Sequence, residues 1–328
     1  MRRRAFITLL GGAAAAWPLA ARAQQPDRTR RVGALITVPE DDPDAKLRIV
    51  AFREALEKLG WSEGRNVHLD VRFTSSADAQ QALVKELLAL APDVVVAQGT
   101  SATAAFQRES RDIPIVFVSV SDPVGAGFIA SLARPGGNLT GLTLYEASIA
   151  GKWLAMLKEI APSVTRVAFI INPKTSSFAH FAREAETMAQ SLAIELTVHT
   201  IENASDISRV IESFASLPNG GLVLPPDAST ITHRDLVVAL AVRYRLPAVY
   251  AWRQFVAAGG LMSYGIDLVE QVGQTASYVD RILRGAQPAD LPVQAPTKYQ
   301  TVLNLKTAKA MGLTAPPGLL VAADEVIE

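Results

Sequence analysis

From residue 31 onward, short apolar runs alternate with stretches whose apolar residues recur every three or four positions. That alternation limits the fold more than any other feature of the chain. Arg31 to Thr37 (RVGALIT), Val67 to Phe73, Asp93 to Ala97 (DVVVA) and Ile115 to Val120 (IVFVSV) read as strands. Between them, Ile49, Phe52, Leu56 and Leu59 share one helix face that Gly60 ends. Leu83, Leu87 and Leu90 mark a second helix, capped by Asp78 and ended by Pro92, and a third begins at about Ser101. A second series follows, with strands at Arg166 to Ile171, Ile194 to Thr200, Gly221 to Leu224 and Pro247 to Tyr250. Its first helix carries Phe178, Phe181, Ala185, Met188 and Leu192. Continuous apolar strands alternating with helices predict parallel sheets wrapped by helices. The order restarts near residue 143, so two similar α/β lobes are expected.

Composition removes several function classes. The 32 basic residues balance 32 acidic ones, which gives no electrostatic case for nucleic acid or an anionic membrane. Without a single cysteine there is no disulfide framework, thiolate nucleophile or cysteine-bearing metal site. His68, His180, His199 and His233 lack ligand spacing, so no metal and no cofactor are expected. The chain is expected to be a monomer.

The amino terminus carries an export pattern. Arg2, Arg3 and Arg4 precede an apolar run from Phe6 to Ala16, and Ala21-Arg22-Ala23 forms a small-x-small cleavage site. The run is shorter than the about 20 residues a membrane span needs. Residues 1–23 therefore read as a signal peptide, and the mature chain begins at Gln24 in the periplasm. Arg3-Arg4-Ala5-Phe6-Ile7 resembles a twin-arginine signal; an ordinary secretory signal is the alternative.

Ligands of parallel α/β sheets bind beyond the carboxyl ends of the strands. Here the candidate loops are 37–42, 98–103, 119–125, 172–177, 225–230 and 250–253. None offers a serine beside a histidine or a metal cluster. The stretch SDPVGAGFIASLARPGGNLTG contains G-x-G-x-x-A at Gly125, Gly127 and Ala130. A dinucleotide loop should start where its strand ends, yet Asp122-Pro123 intervene, and Asp122 would sit beside the pyrophosphate. The glycines read instead as serving close helix packing and a turn before an interlobe crossing.

Four stretches together carry a family likeness: SDPVGAGFIASLARPGGNLTGLT, INPKTSS, LPAVYAWRQFVAAGGLMSYGIDL and the ending from YVDRILRG to DEVIE. They resemble the ABC-transporter substrate-binding proteins of the tryptophan/tyrosine transport type. GGLMSYG and ADLPV…PTK…LNLKTAKAMGL are the specific runs. The resemblance implies the type I periplasmic-binding-protein fold: two lobes joined by three crossings, closing over a small molecule that is passed to a membrane permease. Crossings are then expected near Gly141, near Tyr264-Gly265 and from Leu291 to Ala295. Lobe one would be 31–141 with 266–292, and lobe two 142–265 with 293–328.

Candidate ligand residues follow from the loops. Thr100 and Ser101 start a helix and suit a carboxylate. Ser121 and Asp122 end a strand, Asp122 being a ligand residue or a helix cap. Asn172, Thr175, Ser176 and Ser177 mirror Thr100 and Ser101 across the cleft. Asp227 could pair with an ammonium, or cap the helix after it. Tyr145, Tyr250, Trp252 and Tyr264 offer flat faces. Together they suggest an amino acid or related zwitterion, and the family likeness allows an aromatic one. Two other readings use the same features: a periplasmic sensor module for a membrane receptor, or an exported nicotinamide-dependent oxidoreductase.

Overall fold

The computed structural model describes residues 28–74, 76–173 and 178–328; the signal-peptide reading lies outside them. The first sheet is built from β1 (Arg30–Ile36), β2 (Val67–Phe73), β3 (Val94–Gln98), β4 (Ile115–Val120) and β5 (Leu139–Thr143), in the order β2-β1-β3-β4-β5. All its pairs are parallel. Its central strands are fully buried, which is why VVVA and IVFVSV lack polar alternation.

Helices α1 (Pro43–Lys58), α2 (Ala77–Ala89) and α3 (Gly99–Glu109) follow β1, β2 and β3. In α1, Ala45, Ile49, Phe52 and Leu56 form the buried face, and Asp42 caps the first turn with Pro43 behind it. Gly60, just past the end, takes φ +94. The cap of α2 is Ser76, which accepts from the Ala79 N–H at 3.3 Å. Asp78, expected there, sits in the first turn.

The second sheet contains β6 (Arg166–Ile171), β7 (Glu195–Thr200), β8 (Gly220–Leu224), β9 (Ala248–Tyr250), β10 (Met262–Gly265), β11 (Gln300–Asn304) and β12 (Glu325–Ile327). Its order is β12-β11-β10-β9-β8-β6-β7. Helices α4 (Ile149–Ile160), α5 (Phe178–Ser191), α6 (Ala204–Ala215), α7 (Ala228–Thr232), α8 (Arg234–Arg243) and α9 (Arg253–Ala257) connect the strands up to β10. One pair departs from the parallel order expected: β10 and β11 are antiparallel. The chain leaves this sheet after β10 and returns through a different crossing, so β11 enters from the opposite end.

Between those two strands, α10 (Leu268–Leu283) goes back to the first lobe. Its Val272, Ala276, Val279 and Leu283 join the core cluster of Phe52, Leu56 and Val94. Burying each such side chain contributes roughly 1.5–3 kcal/mol, enough to hold the helix there. The chain ends with α11 (Leu305–Ala310) and α12 (Pro317–Ala322) before β12.

The three crossings are tied together. Thr143 N–H donates to the Gln294 carbonyl at 2.9 Å, and Gln294 N–H to that of Gly141 at 3.1 Å. The Tyr145 hydroxyl donates to the Ala251 carbonyl at 2.9 Å and accepts from the Ile266 N–H at 3.0 Å. Gly265 lies against this joint: a Cβ there would stand 1.8 Å from the Ala251 oxygen.

Residues 122–130 form turns and bends with no helix. The G-x-G-x-x-A run therefore has no helix N-terminus to hold a pyrophosphate, and its glycines serve no helix packing. Gly125 gives its N–H to Asp122 Oδ1 at 2.8 Å, where a Cβ would collide with the same carboxylate. Gly141 has another purpose. It lets β5 approach the Phe117 carbonyl, which a Cβ would meet at 1.9 Å.

Candidate functional site: a cleft between the two sheets

The carboxyl ends of β1, β3, β4 and β8 converge on one cleft, open to solvent, whose atom-free space together with its mouth is about 560 Å³. The first lobe contributes Thr37, Val38, Arg48, Gln98, Gly99, Thr100, Ser101, Ser119 and Ser121 to its lining, and α10 adds Leu268. Pro226, Asp227, Ala228, Ile231 and Trp252 come from the second lobe, and Leu144 lies just past the first crossing.

On the first-lobe wall, α3 begins directly where β3 stops. Gly99 makes this possible with φ +83, a left-handed conformation that side chains disfavour. The N-cap residue, Gln98, gives no side-chain cap. The first turn of an eleven-residue helix thus opens toward the cleft with its positive end. Beside it, Ser119 holds φ +61 at the register shift between β4 and β5. Its hydroxyl donates to Gln271 Oε1 at 2.7 Å, and Gln271 Nε2 donates to the Thr143 carbonyl at 2.7 Å. Strained backbone of this kind persists only where surrounding bonds over-determine it.

On the facing wall, Asp227 is 1% exposed. Its Oδ1 accepts from the N–H groups of Ser229 and Thr230, and its Oδ2 from that of Asn172 at 2.8 Å. It therefore caps α7, ties the end of β6 to the end of β8, and lines the cleft.

Of the thirteen residues expected from sequence, Thr100, Ser101, Ser121, Asp227 and Trp252 line the cleft. Asn172 stands behind that surface, its Nδ2 donating to Ser229 Oγ at 2.8 Å. Asp122 turns to its own loop. Tyr145 is spent on the crossing joint, Tyr250 is buried and stacked on Phe255, and Tyr264 stacks on Tyr299. The expected aromatic wall thus reduces to Trp252, with Leu144, Ile231 and Leu268 beside it. Thr175, Ser176 and Ser177 lie outside the described residues.

The sequence reading missed Arg48, and it named the loops of Gln98 and Ser119 without singling out either residue. Arg48 is 1% exposed and makes no ion pair among the described residues, and its Nε has no hydrogen-bond partner there. A signal existed, because Arg48 lies three residues after Ala45 and four before Phe52. It occupies a core-facing position of α1. Gln98 at an N-cap, where Ser, Thr, Asp or Asn is favoured, was a second signal.

Among the described residues, no group of three or more His, Cys, Asp or Glu could hold a metal ion. No helix there is long and apolar enough to cross a membrane. Two α/β lobes with three tied crossings, and a cleft between their strand ends, define a protein of the type I periplasmic-binding-protein fold. The family model for ABC transporter substrate binding proteins matches residues 34–327, and the chain belongs to that family. Its members capture substrates and are not enzymes.

A "Tyrosine-binding protein" of Clostridioides difficile is 25% identical over 264 residues, covering 80% of this chain and 75% of the relative. A conserved domain protein of Vibrio cholerae superimposes with a TM-score of 0.85 at 25% identity, covering 91% of this chain and all of the other. The ABC domain of a Streptococcus pneumonia protein in complex with L-Trp gives 0.84 at 23% identity over the same shares.

Proposed function

We propose that this chain is the extracytoplasmic substrate-binding component of an ABC importer, holding an amino acid with an aromatic or other apolar side chain. It closes on the ligand and hands it to a membrane permease. Residues 1–23 direct export and are removed after Ala23. The lobes that close are 31–141 with 266–292, and 142–265 with 293–328.

One observation carries the ligand class. The positive N-terminus of α3 lines the same cleft as the buried carboxylate of Asp227, with Trp252, Leu144, Ile231 and Leu268 as apolar walls. A helix N-terminus suits an anion and a carboxylate suits an ammonium. The apolar walls accept what lies between. Family membership and the two relatives named for tyrosine and L-Trp support the same class.

Calorimetric titration of the mature protein with L-tyrosine, L-tryptophan, L-phenylalanine and a set of sugars tests this. Binding of at least one aromatic amino acid, with no turnover, is expected. Binding of sugars alone would sink the amino-acid reading.

A further inference from the structure

Arg48 lies on the buried face of α1 and lines the inter-lobe cleft, yet nothing in the described protein pairs with it. Arginine stays charged in proteins, and isolated buried charges are strongly disfavoured. Three carboxylates are near enough to attract it, those of Asp44, Asp42 and Asp267, while Arg234 repels it. None is within ion-pair distance, and two are engaged elsewhere. Asp42 takes Arg234 and the first N–H groups of α1. Asp267 caps α10 through the N–H groups of Val269 and Glu270.

A second buried polar group in the same lining is also unpartnered. Gln98 is 5% exposed, and its Oε1 has no hydrogen-bond partner. Two incomplete polar groups on one wall describe a site that awaits a ligand rather than a finished core.

We propose that Arg48 is the anion anchor of the cleft, and that a ligand carboxylate completes its guanidinium while Gln98 Oε1 accepts from a ligand donor. The inference rests on the reading that the ligand binds between the lobes. A guanidinium offers a planar fork that a carboxylate fills with two parallel hydrogen bonds. The charge count favours a single carboxylate over a phosphate: among the described lining residues Arg48 is the one cation, and Asp227 opposes it as the one anion. The N-terminus of α3 stands on the same wall, so the carboxylate end of a zwitterion faces lobe one and its ammonium faces lobe two.

The test uses the mature protein, Arg48→Met and Arg48→Lys, with L-tyrosine, tyramine and 3-(4-hydroxyphenyl)propionate as probes. Wild type should bind L-tyrosine at least about a hundredfold more tightly than tyramine, which lacks the carboxylate. Arg48→Met should lose L-tyrosine by a similar factor and tyramine hardly at all. Arg48→Lys keeps the charge without the fork and should fall between. Without ligand, Arg48→Met should melt at or above the wild-type temperature, because it removes an unpaired buried charge. Unchanged L-tyrosine affinity in Arg48→Met, or a ligand-free melting point several degrees below wild type, would overturn the anchor.

If wild type binds neither L-tyrosine nor L-tryptophan, the aromatic amino-acid reading fails separately. A thermal-shift panel of small carboxylates and their amides then decides Arg48. A carboxylate that stabilises wild type but not Arg48→Met supports the anchor; equal responses of the two proteins overturn it.

Discussion

Arg234, the first residue of α8 in the second lobe, donates to the Asp42 carboxylate at the start of α1 in the first, at 2.7 Å. The pair spans the cleft near Arg48. Asp42 meanwhile accepts from the N–H groups of Asp44 and Ala45, so one side chain both caps a helix and holds the facing lobe.

This latch should be felt in binding and in acid. A partly buried pair of good geometry is worth about 1 kcal/mol, so Arg234→Gln should weaken ligand binding by roughly fivefold, mainly through faster release. Burial pushes the Asp42 carboxyl upward, but Arg234 and the helix N–H groups outweigh it and hold it below the ordinary 3.8. A carboxyl lowered in the folded state contributes stability above its ordinary value and loses it as pH falls through the lowered one. The latch should therefore be intact at neutral pH and fail only at a pH below the ordinary 3.8. Identical affinities and identical acid profiles for wild type and Arg234→Gln would show the pair to be incidental.

Asp227→Ala should cost more than a helix cap. The cap accounts for about 1 kcal/mol, and the buried Asn172 N–H left without an acceptor adds about 1–3. Urea unfolding should show a loss of about 2–4 kcal/mol. In the protein still folded at low temperature, L-tyrosine affinity should fall more than about tenfold. Affinity for 3-(4-hydroxyphenyl)propionate, which has no ammonium, should stay the same. Equal losses for both probes would make Asp227 purely structural.

Tyr145→Phe should loosen the crossings. It removes an acceptor from the Ile266 N–H and a donor from the Ala251 carbonyl, both buried, for about 1–3 kcal/mol in equilibrium unfolding. Gly265→Ala should be worse, because its Cβ would overlap the Ala251 oxygen and the Tyr145 hydroxyl. If Gly265→Ala keeps wild-type stability, the joint described for these crossings is wrong.

Export is tested at the amino terminus. Mass spectrometry of periplasmic protein should find a chain beginning at Gln24. Replacing Arg3 and Arg4 with lysine distinguishes the routes: blocked export marks twin-arginine dependence, and normal export marks the general secretory path.

The sequence by itself determined eight of the twelve strands among the described residues, the helices between them and the loops at their carboxyl ends; β10, β11 and β12 lie outside that alternating series. Apolar runs such as IVFVSV and the Ala45–Ile49–Phe52–Leu56 spacing are properties of the local chain, and local periodicity survives without knowledge of partners. The loops at Gln98–Thr103 and Pro225–Thr230 were legible for the same reason, since strand ends mark them. Tertiary structure alone decided what each polar residue does there. Tyr145 and Tyr250 read as ligand-facing aromatics until the crossing joint and Phe255 claimed them. Asp227 gains the Asn172 N–H, 55 residues away in the chain, because β6 and β8 lie side by side. The core-facing position of Arg48 on α1 is legible in the Ala45–Ile49–Phe52–Leu56 spacing, but what covers it is not. Its burial comes from the second lobe closing over α1 while α10 packs against that helix. Neither lies near it in sequence, so no local pattern could show that its charge would be buried without an ion pair among the described residues.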